Sequence, residues 1–128
     1  MYLMFDGGNG GVEKSAGYGS FVVRKSKNEP IMHHITVEFE GASTSNEAEY
    51  KTLLYALEWL RDHYFSNIVL DIEGDSELIR KQVLGEWQIR RQGEHLRVYR
   101  DKIQHLLRSY QLTYKHVPRA QIVAVLGH

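Results

Sequence analysis

The chain has 128 residues and no net charge, with 42% hydrophobic and 25% charged residues, a composition typical of one globular domain. No apolar stretch approaches the roughly 20 residues of a membrane span, and the absence of cysteine excludes disulfides and thiolate-bound metals. The first residues lack the basic start and cleavage site of a secretory signal, so we expect a monomeric cytoplasmic protein with a single domain over residues 1–128.

Charge is distributed unevenly along the chain. Residues 1–79 carry 13 Asp and Glu against 6 Lys and Arg, whereas residues 80–119 carry 10 Lys and Arg against 3 Asp and Glu. An acidic metal site beside a basic, phosphate-binding surface would produce this asymmetry. Arginines that are simply solvated on helix faces would produce it as well, so charge alone leaves both interpretations open.

The first 40 residues predict three antiparallel strands. Residues 2–5 are apolar and strand-like, and the Asp-Gly-Gly-Asn-Gly-Gly run at 6–11 predicts a turn or loop. Residues 18–24 form the second predicted strand. From Ile31 to Glu40 apolar and polar side chains alternate, which is typical of a half-buried antiparallel strand.

Helical signals come next in the sequence. Thr44-Ser45-Asn46-Glu47 has the spacing of a capping box, and the apolar stripe that follows predicts a helix from about residue 45. Residues 67–72 predict a short buried strand. A short helix is then expected to open at Asp75-Ser76 and to end near Gly85.

The last third of the chain predicts one longer helix and one strand. Apolar residues between Leu96 and Tyr110 recur at helical spacing, and residues 111–117 alternate as a strand that Pro118 stops. The pattern predicts no further element after Pro118. The predicted order is therefore β-β-β-α-β-α-α-β.

This order predicts an α/β fold with a five-stranded mixed sheet flanked by helices. Strands 1, 4 and 5 are joined by helical crossovers and should be parallel. Strands 1 to 3 form an antiparallel meander that continues one edge of the sheet.

Three carboxylates are predicted to meet at one edge of this sheet. Asp6 ends the first predicted strand and Asp75 follows the fourth, and ligands in open α/β sheets collect beyond the carboxyl ends of parallel strands. Glu49 precedes Leu53 and Leu60 by 4 and 11 residues, so it shares their sheet-facing stripe in the first turn of the helix. A carboxylate on that face is destabilising unless a cation compensates it.

Each of the three acids also has an ordinary structural interpretation. Asp6 precedes two glycines and could be a turn residue, Asp75 could only cap a helix, and Glu49 could only benefit from the helix dipole. Their shared location at one sheet edge favours a metal site.

Five sequence blocks, taken in order, resemble ribonuclease H of type 1, in its compact prokaryotic form without a basic protrusion. They are FDGG, GYGSF, STSNEAEY, GDSELIRKQVLGEW and HVPRAQ, and together they span nearly the whole chain. The resemblance implies the ribonuclease H-like fold. It further implies a metal-dependent endonuclease that hydrolyses the RNA strand of RNA–DNA hybrids to 5′-phosphate and 3′-hydroxyl ends, with double-stranded RNA as a second candidate partner.

The resemblance assigns catalytic and metal-binding roles to Asp6, Glu49 and Asp75, which match three acids that in this family share two Mg²⁺ ions (or Mn²⁺) with the scissile phosphate. Hard oxygen ligands without cysteine suit Mg²⁺. Gly7 and Gly8 match the place where the protein backbone approaches the RNA strand.

Other matched positions imply further contacts with the nucleic acid. Asn46 matches a base- or sugar-contacting Asn, and Thr44 matches a contact to a DNA phosphate. Trp87 resembles an aromatic residue that packs on the DNA side, although a core tryptophan is an open alternative. The candidates for phosphate neutralisation are Arg90, Arg91, Arg97 and Arg119.

The chain departs from the family pattern at its C-terminal segment. The family has a fourth acid in its last helix, in a segment resembling V-P-R-x-x-N-x-x-A-D-x-L, whereas residues 117–126 read VPRAQIVAVL with no acid after Asp101. One Asn after Gln121 and one Asp after Ala124 would restore the pattern. Two alternatives to an active nuclease therefore stay open, namely a catalytically impaired module that binds hybrid or double-stranded RNA, and a structural or partner-binding domain with a vestigial site.

Two smaller departures concern side chains near the predicted site. Glu77 stands where many relatives carry Gln, and a carboxylate there should repel phosphate or recruit metal. Neither His116, in the last predicted strand, nor His128 is a secure counterpart of the family's histidine near the fourth acid.

Overall fold

The computed structural model describes residues 1–9, 16–40, 44–64, 69–90 and 93–127. Within these ranges the strands are β1 (Tyr2–Asn9), β2 (Ala16–Arg24), β3 (His33–Glu40), β4 (Val69–Gly74) and β5 (Gln111–His116). The helices are α1 (Ser45–His63), α2 (Glu77–Val83), α3 (Leu96–Leu107) and α4 (Arg119–Leu126). No helix among the described residues is long and apolar enough to cross a membrane.

The five strands form one mixed sheet in the order β3-β2-β1-β4-β5. β1 pairs antiparallel with β2 and β2 with β3, while β1 pairs parallel with β4 and β4 with β5. The meander on one edge and the parallel strands joined by helical crossovers are as predicted from the order of the elements.

The sheet is covered unequally on its two faces. On one face, α1 and α3 pack over the main core, which includes Leu3, Phe5 and Ile72. On the opposite face, α4 covers a smaller apolar cluster formed by Tyr2, Met4, Val22, Val117, Ile122 and Leu126. The alternation of side chains along β1 explains this split, because successive residues point to opposite faces of the sheet.

The prediction that the chain has no element after Pro118 is wrong. Residues 119–126 form α4, with Pro118 as its N-terminal flanking residue and Gly127 in the left-handed conformation, φ 84°, at its end. The apolar run has no amphipathic period and Pro118 has no capping side chain, so the sequence signals of a helix start were absent. Pro118 keeps the extended conformation of the strand end, φ −62° and ψ 150°, and α4 begins at the next residue.

The prediction of a turn directly after residue 5 is also wrong. β1 continues through Asn9, with Asp6 opposite Ser20, Gly7 opposite Gly19 and Gly8 opposite Tyr18 in β2. The remainder of the predicted glycine-rich turn, from residue 10 onward, lies outside the described residues, as do the first two residues of the fourth predicted strand.

β1 is longer than the part of it that pairs with β4. The parallel register runs from Tyr2 opposite Asp71 to Met4 opposite Glu73. Asp6 lies two residues beyond the last pair, where the two strands part. A carboxylate at this position faces the crevice at the carboxyl ends of the parallel strands, the usual place for a ligand in such sheets.

Candidate metal centre and nucleic-acid surface

Asp6, Glu49 and Asp75 meet where β1 and β4 part, beyond the last residue pair of these two strands. One carboxylate oxygen from each residue lies within 4.8 Å of the others, and no other group of three or more His, Cys, Asp or Glu among the described residues has this arrangement. Asp6 is buried, and Glu49 and Asp75 are partly exposed. The predicted convergence of the three acids is thus confirmed as geometry.

Two glycines allow α1 to lie close enough to the sheet to bring Glu49 to this site. A Cβ on Gly7 would meet the backbone oxygen of Ala48 at 2.7 Å, and a Cβ on Gly19 would meet Thr52 Oγ1 at 1.8 Å. The Thr52 hydroxyl donates to the Ala48 backbone oxygen over 2.7 Å. The first turns of α1 therefore sit directly on the paired glycines of β1 and β2, which only residues without a side chain permit.

Ser76 connects the start of α2 with the carboxylate of Glu49. Its Oγ accepts a hydrogen bond from the backbone N–H of Ile79 over 3.2 Å, which is the usual action of an N-cap. Its hydroxyl also lies close enough to the Glu49 carboxyl to lower the pKa of that group. In the sequence Ser76 is recognisable only as part of a helix start, because its effect on Glu49 depends on the approach of two distant segments.

The three acids concentrate negative charge that protein groups only partly compensate. Burial, followed by the nearby charges of Asp75 and Asp6, raises the pKa of Glu49 from 4.5 to about 8. The nearby Ser76 hydroxyl and the charge of Arg119 act in the opposite direction and lower that pKa. Without further positive charge, Glu49 therefore retains a proton at neutral pH.

Arg119, the first residue of α4, binds two of the three carboxylates. Its Nη1 donates to Asp6 Oδ2 over 2.8 Å and to Asp75 Oδ2 over 2.9 Å. Its side chain is 55% exposed, whereas that of Asp6 is 1% exposed. The sequence analysis placed Arg119 among the candidates for phosphate contact, and this role stays a prediction.

The residues present fit a divalent metal ion. The donor set consists of carboxylate oxygens, the ligands that Mg²⁺ and Mn²⁺ prefer. The site already attracts a cationic group, the Arg119 guanidinium, and burial together with the charges of Asp75 and Asp6 raises the pKa of Glu49. Asp6, Glu49 and Asp75 are the residues that would hold the ion.

Two of the predicted nucleic-acid contacts line one groove beside this centre. The groove has a volume of about 640 Å³ and includes Asn46, at the start of α1, and Trp87, in the segment after α2. Trp87 is 46% exposed, and Lys81 Nζ lies 4.4 Å from the centre of its ring. Trp87 is therefore a surface residue, and the alternative of a core tryptophan is excluded.

The remaining predicted contacts lie in different environments. Thr44 is exposed and caps α1, with its Oγ1 accepting from the backbone N–H of Glu47 over 3.1 Å. Gly7 is buried under α1, and Gly8 is partly exposed next to the Tyr18 hydroxyl. Packing alone accounts for the glycine at position 7. The contacts predicted for these residues with nucleic acid remain predictions.

The arginine candidates differ in their surroundings. Arg90 is exposed and lines the same groove as Asn46. Arg97 is exposed and donates from Nη2 to the Ile89 backbone oxygen over 3.1 Å. Arg91 lies outside the described residues, and so does His128.

Glu77 is held by neighbours other than the three acids. Its Oε1 accepts from Arg80 Nε over 2.9 Å, and its Oε2 lies 3.7 Å from His116 Nδ1. The hydrogen bond from Arg80 holds the pKa of Glu77 below its usual value. The His116 Nε2 atom is 3.1 Å from the backbone oxygen of Asp75, so this histidine lies beside the site on a strand end.

The segment that carries the fourth acid in related sequences has no acid in this chain. α4 presents Ala124, which is exposed, and Val125, which packs against the cluster around Tyr2 and Met4. The cationic side chain of Arg119 is the group that α4 contributes to the carboxylates.

Comparison with known proteins agrees with this architecture. Residues 4–125 match the family model described as reverse transcriptase-like. The chain belongs to this family. Ribonuclease HI of Halobacterium salinarum is 38% identical over 81 residues, which are 62% of this chain and 39% of the relative. The match thus spans about two fifths of the length of this curated relative.

Solved structures similar to this chain have the same fold. RNase H1 from the halophilic archaeon Halobacterium salinarum NRC-1 superposes with a TM-score of 0.74 at 31% identity, over 94% of this chain and 86% of that chain. LC11-RNase H1, in complex with an RNA/DNA hybrid, superposes with a TM-score of 0.78 at 25% identity, over 94% and 86% of the two chains. The predicted ribonuclease H-like fold and the resemblance to ribonuclease H of type 1 are confirmed.

Proposed function

We propose that this protein is a metal-dependent endonuclease that hydrolyses the RNA strand of RNA–DNA hybrids. The observation that carries the proposal is that one carboxylate oxygen from each of Asp6, Glu49 and Asp75 lies within 4.8 Å of the others, where β1 and β4 part. A related structure of the same fold holds an RNA/DNA hybrid. Two Mg²⁺ ions, or Mn²⁺, would supply an activated water and stabilise the leaving 3′ oxygen, which gives 5′-phosphate and 3′-hydroxyl ends.

The protein's own residues have distinct parts in this function. Asp6 is buried within β1, and the Ser76 hydroxyl favours the ionised, metal-binding form of Glu49. Asn46 and Trp87 line the groove that leads away from the carboxylates and would contact the two strands of the hybrid. RNA is distinguished by its 2′-hydroxyls, which are accessible across the shallow minor groove of the hybrid. The monomeric state, the cytoplasmic location and binding of double-stranded RNA stay predictions.

Asp6→Asn tests the proposal with little change in shape. We expect the wild type to cleave the RNA strand of a labelled hybrid with Mg²⁺ and to leave duplex DNA intact, and the variant to lose at least about 100-fold in rate because a metal ligand has lost its charge. Asp62→Asn is a matched control, because Asp62 is exposed and pairs only with its neighbour Arg61 among the contacts described. Cleavage by Asp6→Asn at the wild-type rate, or no cleavage by the wild type with either metal, would contradict the proposal.

A second candidate function is a module that binds hybrid or double-stranded RNA without cutting it. The observation that favours it is the composition of the site, in which α4 supplies a guanidinium and no acid among the described residues. Tight, salt-dependent binding of the hybrid by the wild type, with no product at any Mg²⁺ or Mn²⁺ concentration, would support this candidate.

A further inference from the structure

A single nitrogen atom of Arg119 lies between two of the three carboxylates. Nη1 is 2.8 Å from Asp6 Oδ2 and 2.9 Å from Asp75 Oδ2, so it connects β1 with the residue that follows β4. Both bonds are charge-assisted, which makes them short and strong. The guanidinium therefore places positive charge between the oxygens that a metal ion would need.

A guanidinium nitrogen and a divalent ion would compete for carboxylate oxygens at this position. Mg²⁺ binds carboxylate oxygens at about 2.0–2.1 Å and demands a regular arrangement of its ligands. The site brings one oxygen from each acid within 4.8 Å of the others, and Arg119 already uses one oxygen of Asp6 and one of Asp75. The two positive charges would also repel each other at such short range.

We propose that Arg119 is the resident cation of the metal-free site and that a divalent ion must displace it, so that metal affinity is set by competition with this side chain. The inference rests on the proposed function for the metal itself. It adds that one residue of this chain lowers the affinity of the site for metal and stabilises the site when metal is absent.

The position of Arg119 in the fold allows this exchange without unfolding. Its side chain is 55% exposed, and α4 is held to the sheet by the buried residues Ile122 and Leu126. Rotation of the Arg119 side chain toward solvent would therefore leave the packing of α4 intact. Because its backbone stays next to the carboxylates, the released guanidinium would be available to a phosphate of a bound nucleic acid.

Binding of Mn²⁺ alone to the full chain tests the competition. We expect Arg119→Gln to bind Mn²⁺ at least about 10-fold more tightly than the wild type, because the ion no longer has to displace a positive charge. Arg108→Gln removes the same charge from the exposed residue that follows α3, near the amino end of β5 and away from the carboxylates, and should bind Mn²⁺ as the wild type does. Circular dichroism would show that each variant is folded.

A second measurement uses the wild type and does not depend on any variant being stable. The side-chain N–H signals of Arg119 in a ¹H–¹⁵N spectrum should report hydrogen bonds to carboxylates in the metal-free protein. They should change with added Mg²⁺ along the same saturation curve as the metal-binding isotherm. Arg108 signals should not change.

Two results would overturn the inference. One is equal Mn²⁺ affinity of the wild type, Arg119→Gln and Arg108→Gln, and the other is unchanged Arg119 signals when the site is saturated with Mg²⁺. The proposed function is judged separately, by hydrolysis of the hybrid. If the wild type cleaves the hybrid but Arg119→Gln binds metal no more tightly, the proposed function stands and the competition between Arg119 and metal is refuted. If Arg119→Gln binds metal more tightly but the wild type does not hydrolyse the hybrid, the competition stands and the proposed function is refuted.

Discussion

At the scale of single residues, the sequence identifies the three acids of the site but not the residues that bind them or change their pKa. Asp6, Glu49 and Asp75 could be predicted because each position follows from a strand end or from helical periodicity. The bond from Arg119 to two of them depends on where α4 begins, and the effect of Ser76 on Glu49 depends on a contact between α1 and α2. Neither contact leaves a local pattern in the sequence.

The first prediction concerns the pH dependence of stability in the metal-free protein. The pKa of Glu49 is raised from 4.5 to about 8 in the folded state, so between these values the folded protein holds a proton that the unfolded chain releases. Stability is then lost as pH rises through this window, by at most about 1.4 kcal/mol per pH unit, with less expected because solvent screens a partly exposed group.

Denaturant unfolding in EDTA from about pH 5 to about pH 8 measures this effect. The side chain of Glu49→Gln cannot ionise, so the free energy of unfolding of this variant should fall less steeply with rising pH. The difference in stability in favour of the variant should therefore be largest near pH 8. Glu58→Gln, an exposed position on the same helix, should follow the wild type. Parallel curves for Glu49→Gln and the wild type would contradict the prediction.

At the scale of elements, most of the fold could be predicted because hydrophobic period and turn chemistry are local signals. α1, α2, α3 and β5 begin within about two residues of their expected starts, the usual uncertainty of such boundaries. β1 and α4 were mispredicted for a tertiary reason. Gly7 and Gly8 look like turn residues, yet Gly7 is a strand residue that must be small because α1 lies against it. The buried side of α4 is defined by its packing on the cluster around Tyr2 and Met4, which are distant in the sequence, and not by a local apolar period.

The second prediction tests the close approach of α1 to the sheet. In Gly19→Ala the new Cβ would lie 1.8 Å from Thr52 Oγ1, so α1 must shift and carry Glu49 away from Asp6. We expect a loss of about 2–3 kcal/mol in the free energy of unfolding, the upper part of the range for overpacking. Chemical denaturation measures it.

Two further variants control the second prediction. In Gly8→Ala the new Cβ would lie 3.2 Å from the hydroxyl at the end of the Tyr18 side chain. This variant should lose much less stability than Gly19→Ala. Combining Gly19→Ala with Thr52→Ala removes the clashing hydroxyl, so the double variant should be less destabilised than the sum of the single changes. Strict additivity would exclude the clash as the cause.

The third prediction concerns the connection between β2 and β3. Lys27, in this connection, donates from Nζ to Glu73 Oε2 over 3.0 Å, and the Tyr2 hydroxyl donates to Glu73 Oε1 over 2.9 Å. Glu73 is 3% exposed. Lys27→Ala would leave a buried carboxylate with one fewer partner and should destabilise the fold by about 1–2 kcal/mol, whereas Lys25→Ala, an exposed neighbour, should change stability by less than about 0.5 kcal/mol. Equal melting curves for the two variants would refute it.

At the scale of the whole molecule, the asymmetric charge distribution of the sequence has a spatial counterpart. Three of the N-terminal acids, Asp6, Glu49 and Asp75, lie together near the end of β4, and the basic residues after Arg80 belong to α2, α3, β5, α4 and their connections. The groove lined by Asn46, Trp87 and Arg90 lies between the start of α1 and this basic half. Zero net charge is therefore compatible with binding a polyanion, because the acidic and basic residues are concentrated in different parts of the chain.

The fourth prediction follows from this separation. Binding of an RNA–DNA hybrid in EDTA, where no cleavage occurs, should weaken with salt, and each phosphate contact should contribute about −0.9 to the slope of log K against log salt. Arg90→Gln should reduce the slope by about one such contact, and Arg108→Gln should not change it. Affinity that is independent of salt would contradict a nucleic-acid function of any kind.

Ser76 shows how one hydroxyl group can link folding with chemistry. The same oxygen that starts α2 also faces Glu49, so a change to Ala would weaken the helix and make the carboxylate still harder to ionise. A substitution at this position would therefore affect both the stability of the fold and the affinity of the site for metal. An ordinary helix cap tolerates exchange among several residue types. A serine that serves only as a cap is replaceable, and this one is constrained by its distant neighbour on α1.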